Sequence, residues 1–234
     1  MPSDAEVAEH RAIQDAAKAV LTQLAREIRA DDTERSIAAR AYQGLCERGL
    51  PQTWYHDCPA YVLLGSRSCL SLSGREYRPA DELVGATNLV TVDLSPMRGG
   101  RWGDCARSFF IEHGVVTDSP SLREHAQGKA FVATLHREMR QFVRPQTTFH
   151  ELFEWTSARI AAAEFVNLDF ARNAGHSLAG RREERLFIEA GEHTRLSDAG
   201  FFTFEPHVRA VSGTWGFKHE NVYFFNAEDA LEEL

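Results

Sequence analysis

Four carboxylates and one histidine interrupt apolar segments of this chain. Asp93 stands near the end of the run NLVTVDL, and Asp104 follows eleven residues later at the head of DCARSFFI. Glu205 and Glu220 lie within AGFFTFEPHVRAV and GFKHENVYFF, and His176 sits in the glycine-flanked NAGHSLAG. A single aspartate at a strand end is ordinarily a turn residue, and a single glutamate in a strand ordinarily faces solvent. Four of them in apolar strands call for another account, because each unpaired buried carboxylate costs on the order of several kcal/mol unless a cation compensates it. A divalent metal centre explains all five residues together. Oxygen-rich ligands with one imidazole suit manganese(II), iron(II) or cobalt(II), and zinc is also compatible with such a set.

These side chains need elements to position them. In NLVTVDL, Val90, Val92 and Leu94 alternate with Leu89, Thr91 and Asp93, so Asp93 shares a strand face with Thr91. In the second run Asp104, Ala106 and Ser108 oppose Cys105, Arg107, Phe109 and Ile111. The turn-forming PMRGGRWG between them predicts a β-hairpin that brings the two aspartates together. Upstream, Ser3 with Glu6 forms a capping box for a helix whose apolar face runs from Ile13 to Ile28. Asp31 with Glu34 opens a second helix, closed by Gly49 and Pro51. Residues 52–90 read as strands and loops. Two further helices are predicted, one from about Ser119 and Pro120 to Phe142 and one from about Thr148 to Glu164, before strands return. The order of elements predicts an α+β fold with helices packed on a curved antiparallel sheet, in a single domain over 1–234.

Composition narrows the partners. The chain has 234 residues with a net charge of -8, which excludes the basic surface a nucleic-acid partner needs. No apolar run approaches the roughly 20 residues that cross a bilayer, and the charged start does not read as a leader, so neither membrane nor secretion is expected. Cys46, Cys58, Cys69 and Cys105 lack metal or disulfide spacing, which predicts reduced thiols in a cytoplasm. A small-molecule or peptide substrate is expected.

The five residues, with the motifs that carry them, resemble the superfamily of methionine aminopeptidase, aminopeptidase P, prolidase and creatinase, which has the pita-bread fold. The matching residues are Asp93 in VDLSP, Asp104 in WGDCARSF, His176 in NAGHSLAG, Glu205 in FTFEPHV and Glu220 in GFKHEN. The spacing of the aspartates, and the 29 residues from His176 to Glu205, look like the aminopeptidase P branch. The resemblance implies two divalent ions held by these five side chains, and hydrolysis by a water whose pKa they lower. It also implies a homodimer, and since it spans the chain after the first helix, the N-terminal domain that many relatives carry is not expected among these residues.

Two histidines that bind substrate in the family have no match. Upstream of Asp93, SLSGREYRPADE offers Arg75, Glu76 or Tyr77, and the position seven residues after His176 is Glu183. Glu183 is accordingly a candidate acid or base, set against a surface role within the charged run GRREER. His207, two residues after Glu205, is a second candidate for proton transfer. Lys218 shares a strand face with Glu220, where relatives carry an arginine, and could clamp a substrate carboxylate. His193, in the loop before the Glu205 strand, could replace a missing histidine. His219 faces away and reads as structural, and Cys105 as a packed thiol. The expected function is a metal-dependent hydrolase, aminopeptidase-like or acting on another C–N bond, with repurposing for biosynthetic chemistry as a variant. The alternative is a catalytically silent module that binds a peptide or protein.

Overall fold

The computed structural model describes all residues, 1–234. Helix α1 (Asp4–Glu27) begins at Ser3, whose hydroxyl and the Glu6 carboxylate cap one another's backbone as expected. Helix α2 (Glu34–Glu47) starts differently. Its cap is Thr33 with Ser36, because the Glu34 carboxylate is buried and accepts the amides of Leu64 and Ala80 and the guanidinium of Arg67. Gly49, at φ +75°, then allows Leu50 N–H to reach back to Leu45 C=O and close the helix.

The strands follow as β1 (Gln52–Thr53), β2 (Ala60–Leu64), β3 (Asn88–Leu94), β4 (Pro96–Arg98), β5 (Arg101–Trp102), β6 (Cys105–Glu112) and β7 (Val115–Thr117). The predicted hairpin is β3 against β6, with Asp93 opposite Ala106 and Leu94 opposite Cys105. The strand order is β2-β3-β6-β7, and β1-β4-β5 extends from the hairpin's turn.

Helix α3 (Arg123–Phe142) begins three residues later than Pro120 predicts. The Glu112 carboxylate at the end of β6 accepts the amides of Ser121 and Leu122, which holds that segment outside the helix. Helix α4 (Phe149–Ala162) is capped by Thr148 and Glu151. The remaining strands are β8 (Phe165–Asn167), β9 (Phe201–Phe204), β10 (His207–Ala210), β11 (Phe217–Lys218), β12 (Asn221–Phe225) and β13 (Leu231–Glu233). They form two antiparallel ladders, β11-β10-β8 and β13-β12-β9. Isolated bridges stitch the ladders, including Arg107 to His219 and Ser177 to Phe202.

Strand alternation separates a core from a site. Val90, Val92, Leu94, Cys105, Phe109 and Ile111 join the apolar residues of α1 and α2 in one buried cluster. Leu89 and Phe110, together with α3, α4, β9, β10 and β12, build a second. Thr91 and Asp93 line a cavity instead. No helix is long and apolar enough to cross a membrane.

Candidate metal centre

The two aspartates come from the hairpin, and helix α1 fixes one of them from behind. Gln14, buried on α1, donates its amide to the Asp104 carbonyl at 2.5 Å and accepts the Asp104 N–H at 3.0 Å. This two-point clamp satisfies the backbone where β6 begins and leaves the Asp104 carboxylate free to face the cavity.

The other three ligand candidates come from breaks between short strands. His176 Nδ1 lies 2.9 Å from the Ser177 carbonyl. A carbonyl only accepts, so Nδ1 carries the proton and Nε2 presents its lone pair. That Nε2 faces Asp104 at 3.4 Å and Glu205 at 3.6 Å. Thr203 connects the group: its hydroxyl accepts the His176 N–H and donates to the Glu205 carboxylate at 3.3 Å. Gly175 permits this approach, since a Cβ there would lie 2.3 Å from the Thr203 carbonyl, and its φ is +146°. Glu220 falls between β11 and β12, with its N–H on the Ala106 carbonyl and its own carbonyl held by Arg107 at 2.6 Å.

The ligand atoms converge in two overlapping groups, Asp104 with His176 and Glu220, and Asp93 with Glu205 and Glu220, all within 4.8 Å of one another in each group. Glu220 has no exposed surface, and neither carboxylate oxygen has a hydrogen-bond partner. Burial, then the charges of Asp104 and Glu205, push it well above its ordinary range. Burial also lifts Asp104 to about 6, and the neighbouring charge of Asp93 adds to the rise. Burial would raise Glu205 as well, but the Lys218 ammonium outweighs it and holds that carboxyl at about 2. A buried carboxylate with both oxygens unpartnered beside an unprotonated imidazole nitrogen is the donor set a divalent cation satisfies. The residues therefore fit the metal expected from the sequence.

Of the further candidates, the structure brings two to the site and leaves two outside. Lys218 reaches the centre, but its ammonium lies 2.6 Å from Asp93 and 2.8 Å from Glu205, so it is already engaged by the acidic ring. Burial would lower it, yet the charges of Asp93, Glu205 and Glu220 hold it well above its ordinary value. His207 lines the cavity and donates Nε2–H to the Ser68 carbonyl at 2.7 Å. Burial and then Lys218 hold it down to about 4, so it is neutral with Nδ1 as an acceptor. Glu183 is exposed outside the cavity and pairs with Arg182 at 3.3 Å. His193 is exposed and packs on His150 at 4.8 Å. Upstream, Tyr77 is buried with its hydroxyl on Val62, and Arg75 contacts His56; neither lines the cavity. His219 packs against the His136 ring, as a structural residue does.

Sequence reasoning missed Arg185. Its guanidinium carbon lies 5.1 Å from the Trp54 ring and 5.0 Å from that of Phe187, and the side chain lines the cavity. The stacking requires residues 131 positions apart in sequence, so nothing in GRREER marked Arg185 above its neighbours. The cavity measures about 260 Å³, with Trp54, Tyr55, Tyr61, Leu72, Phe170 and Phe187 on its walls. Trp102 stacks on Trp54 from within the core, and Trp215 packs on His125, so neither forms a wall.

The fold and the convergent acidic centre define a protein of the pita-bread metallopeptidase class. The chain belongs to metallopeptidase family M24, whose description matches residues 8–227. It is similar in structure to an X-Pro aminopeptidase from Thermotoga maritima MSB8, at 17% identity and a TM-score of 0.79, over 99% of this chain and 61% of that one. Prolidase from Pyrococcus furiosus matches at 18% identity and a TM-score of 0.79, over 100% and 64% of the two chains. Dipeptidase PepE from Mycobacterium ulcerans matches at 20% and 0.78, over 99% and 58%. The chain thus spans about three-fifths of the length of these structures. A sequence comparison with curated proteins finds no match.

Proposed function

We propose that the chain is a divalent-metal-dependent hydrolase that cleaves a C–N bond in a small, carboxylate-bearing substrate of amino-acid or dipeptide size. The observation that carries this reading is the Glu220 carboxylate, buried with both oxygens unpartnered among Asp104, His176 and Glu205. Asp104, His176 and Glu220 would hold the ion, with Glu205 and Asp93 completing the acidic ring. The ion, when bound, supplies a Lewis acid and a means of activating water near neutral pH.

The chain's own residues supply the rest. Arg185, stacked between Trp54 and Phe187, offers a planar guanidinium to a substrate carboxylate and takes the clamping role expected of Lys218. The aromatic walls exclude water and take an apolar side group. His207 Nδ1 can accept a hydrogen bond from a substrate N–H and so orient the amine. The cavity of about 260 Å³ favours a dipeptide over a long peptide. The names of the structural neighbours, X-Pro aminopeptidase and prolidase, point to proline-containing dipeptides as first substrates to try.

The test is metal analysis of protein purified without chelator, followed by assay against dipeptides with and without proline. Bound metal with chelator-sensitive turnover is the expected result. Bound metal without peptide turnover would move the reading to another C–N or biosynthetic reaction. Absence of metal would overturn it in favour of a binding module.

A further inference from the structure

Lys218 occupies a particular part of the acidic ring. Its ammonium lies 2.6 Å from Asp93 Oδ2, 2.8 Å from Glu205 Oε2 and 3.7 Å from Glu220 Oε2. These three residues are the whole of one ligand grouping, while the other consists of Asp104, His176 and Glu220. Lys218 makes no ion pair with Asp104. An ammonium presents only donors and no acceptor, which suits the two carboxylates it contacts closely and leaves the Glu220 oxygens and the imidazole lone pair of His176 to something else.

The position is built into the backbone. Lys218 N–H donates to Ser108 Oγ on β6 at 2.9 Å, and Lys218 pairs with His207 on β10. Two residues on, the Glu220 N–H is held by Ala106, again on β6. Lysine and glutamate are thus carried into the centre on one short segment anchored twice to the hairpin. A second divalent ion among Asp93, Glu205 and Glu220 would meet a fixed positive charge in a poorly solvated cavity, where like charges repel strongly.

We propose that this centre takes one divalent ion, at Asp104, His176 and Glu220, and that the Lys218 ammonium stands as a built-in second cation across Asp93 and Glu205. This rests on the metal-dependent reading above and departs from the pair of ions that the family resemblance implies. Two charges from the ion and one from Lys218 then face the four carboxylates Asp93, Asp104, Glu205 and Glu220, so a second ion is not needed to offset most of the ring's charge. Asp93 becomes the partner that holds Lys218 rather than a ligand.

The test is the stoichiometry of manganese(II) bound by chelator-stripped protein, read by elemental analysis and calorimetry, with the electron paramagnetic resonance spectrum of the loaded protein. The wild type should bind one ion per chain and give the six-line spectrum of isolated manganese(II). Lys218→Met should admit a second ion and give an exchange-coupled spectrum. Lys218→Arg, which keeps the cation, and Asp93→Asn, which keeps all three ligands, should each still bind one. Two tightly bound ions and a coupled spectrum in the wild type would overturn the inference while leaving a metal-dependent enzyme in place. A single ion in folded Lys218→Met would overturn the role given to the lysine. No ion in the wild type would overturn both readings.

Discussion

The two halves of the molecule furnish the same centre by different means. The first half, α1 and α2 over β2, β3 and β6, carries Asp93 within β3 and Asp104 just before β6, on the two arms of one hairpin. The second half, α3 and α4 with short strands, carries His176 in a loop, Glu205 just after β9 and Glu220 between β11 and β12. A continuous ladder places a side chain by its pleat alone. At a break the backbone needs other partners, and here they are Gln14 for Asp104, Thr203 and the Ala174 carbonyl for His176 and Glu205, and Arg107 with the Ala106 carbonyl for Glu220. The second half also buries His136 and His207 along with Glu220, and burial holds both imidazoles below their ordinary value.

One ligand from each half gives the largest expected effects. Asp104→Asn and Glu220→Gln should each weaken metal affinity by more than about 100-fold, since even outer partners of ligands are worth ~10–100-fold. Their stabilities should separate the halves. Because metal-free wild type buries Glu220 with both oxygens unpartnered, metal-free Glu220→Gln should melt higher than metal-free wild type, whereas metal-loaded wild type should melt above both variants. Thermal unfolding with and without chelator checks this, and a lower melting point for metal-free Glu220→Gln would break the contrast.

Acid should loosen the second half first. Burial holds His136, hydrogen-bonded to Tyr223 and the His219 carbonyl, down to about 4, against about 6.5 in an unfolded chain. Between those values the unfolded chain binds a proton that the folded one refuses. Its contribution is therefore complete above pH about 6.5 and is lost as pH falls through about 4, on the order of 3 kcal/mol. Hydrogen exchange of metal-free protein across this window should show α3 and β12 losing protection before β3 and β6. His136→Gln should flatten the dependence; simultaneous loss in both halves would count against the distinction.

A smaller effect probes the support behind the hairpin. Gln14→Leu removes both hydrogen bonds to the Asp104 backbone and should weaken metal binding by ~10–100-fold while the ligands stay in place. Unchanged affinity by titration would mean that the ladder alone positions Asp104. The smallest effects concern the cavity wall. Arg185→Ala should raise KM for carboxylate-bearing substrates by ~10-fold or more with metal content unchanged. Glu183→Gln and His193→Ala should leave KM, metal content and stability nearly untouched, with stability within about 0.5 kcal/mol. A large loss of turnover confined to Glu183→Gln would return that residue to the site.

Legibility followed the same division. Period-2 alternation was enough to put Asp93 on a face with Thr91, a capping box located the start of α1, and Thr148 marked that of α4, where the structure adds Glu151 as its partner. The second helix was misread because Asp31 with Glu34 has the form of a cap, whereas Glu34 serves three donors from another part of the chain. Glu205 and Glu220 looked like strand interiors and prove to mark breaks, since the apolar residues on both sides belong to different ladders. Seven residues after His176 the chain turns outward, so counting along it led to Glu183 when Arg185 is the side chain that returns.

By itself the sequence determined the α+β class, the aspartate hairpin and the inward face of Lys218, and it singled out the five acidic and imidazole residues that the fold brings together. These depend on local periodicity and on the cost of leaving carboxylates among apolar residues, both of which are legible at short range along the chain. Only the tertiary structure decided that Lys218 is held by Asp93 and Glu205, that Gln14 grips Asp104 from ninety residues away, and that Trp54 and Phe187 enclose Arg185. Those contacts join distant segments, and their geometry follows from how the two halves pack around the centre.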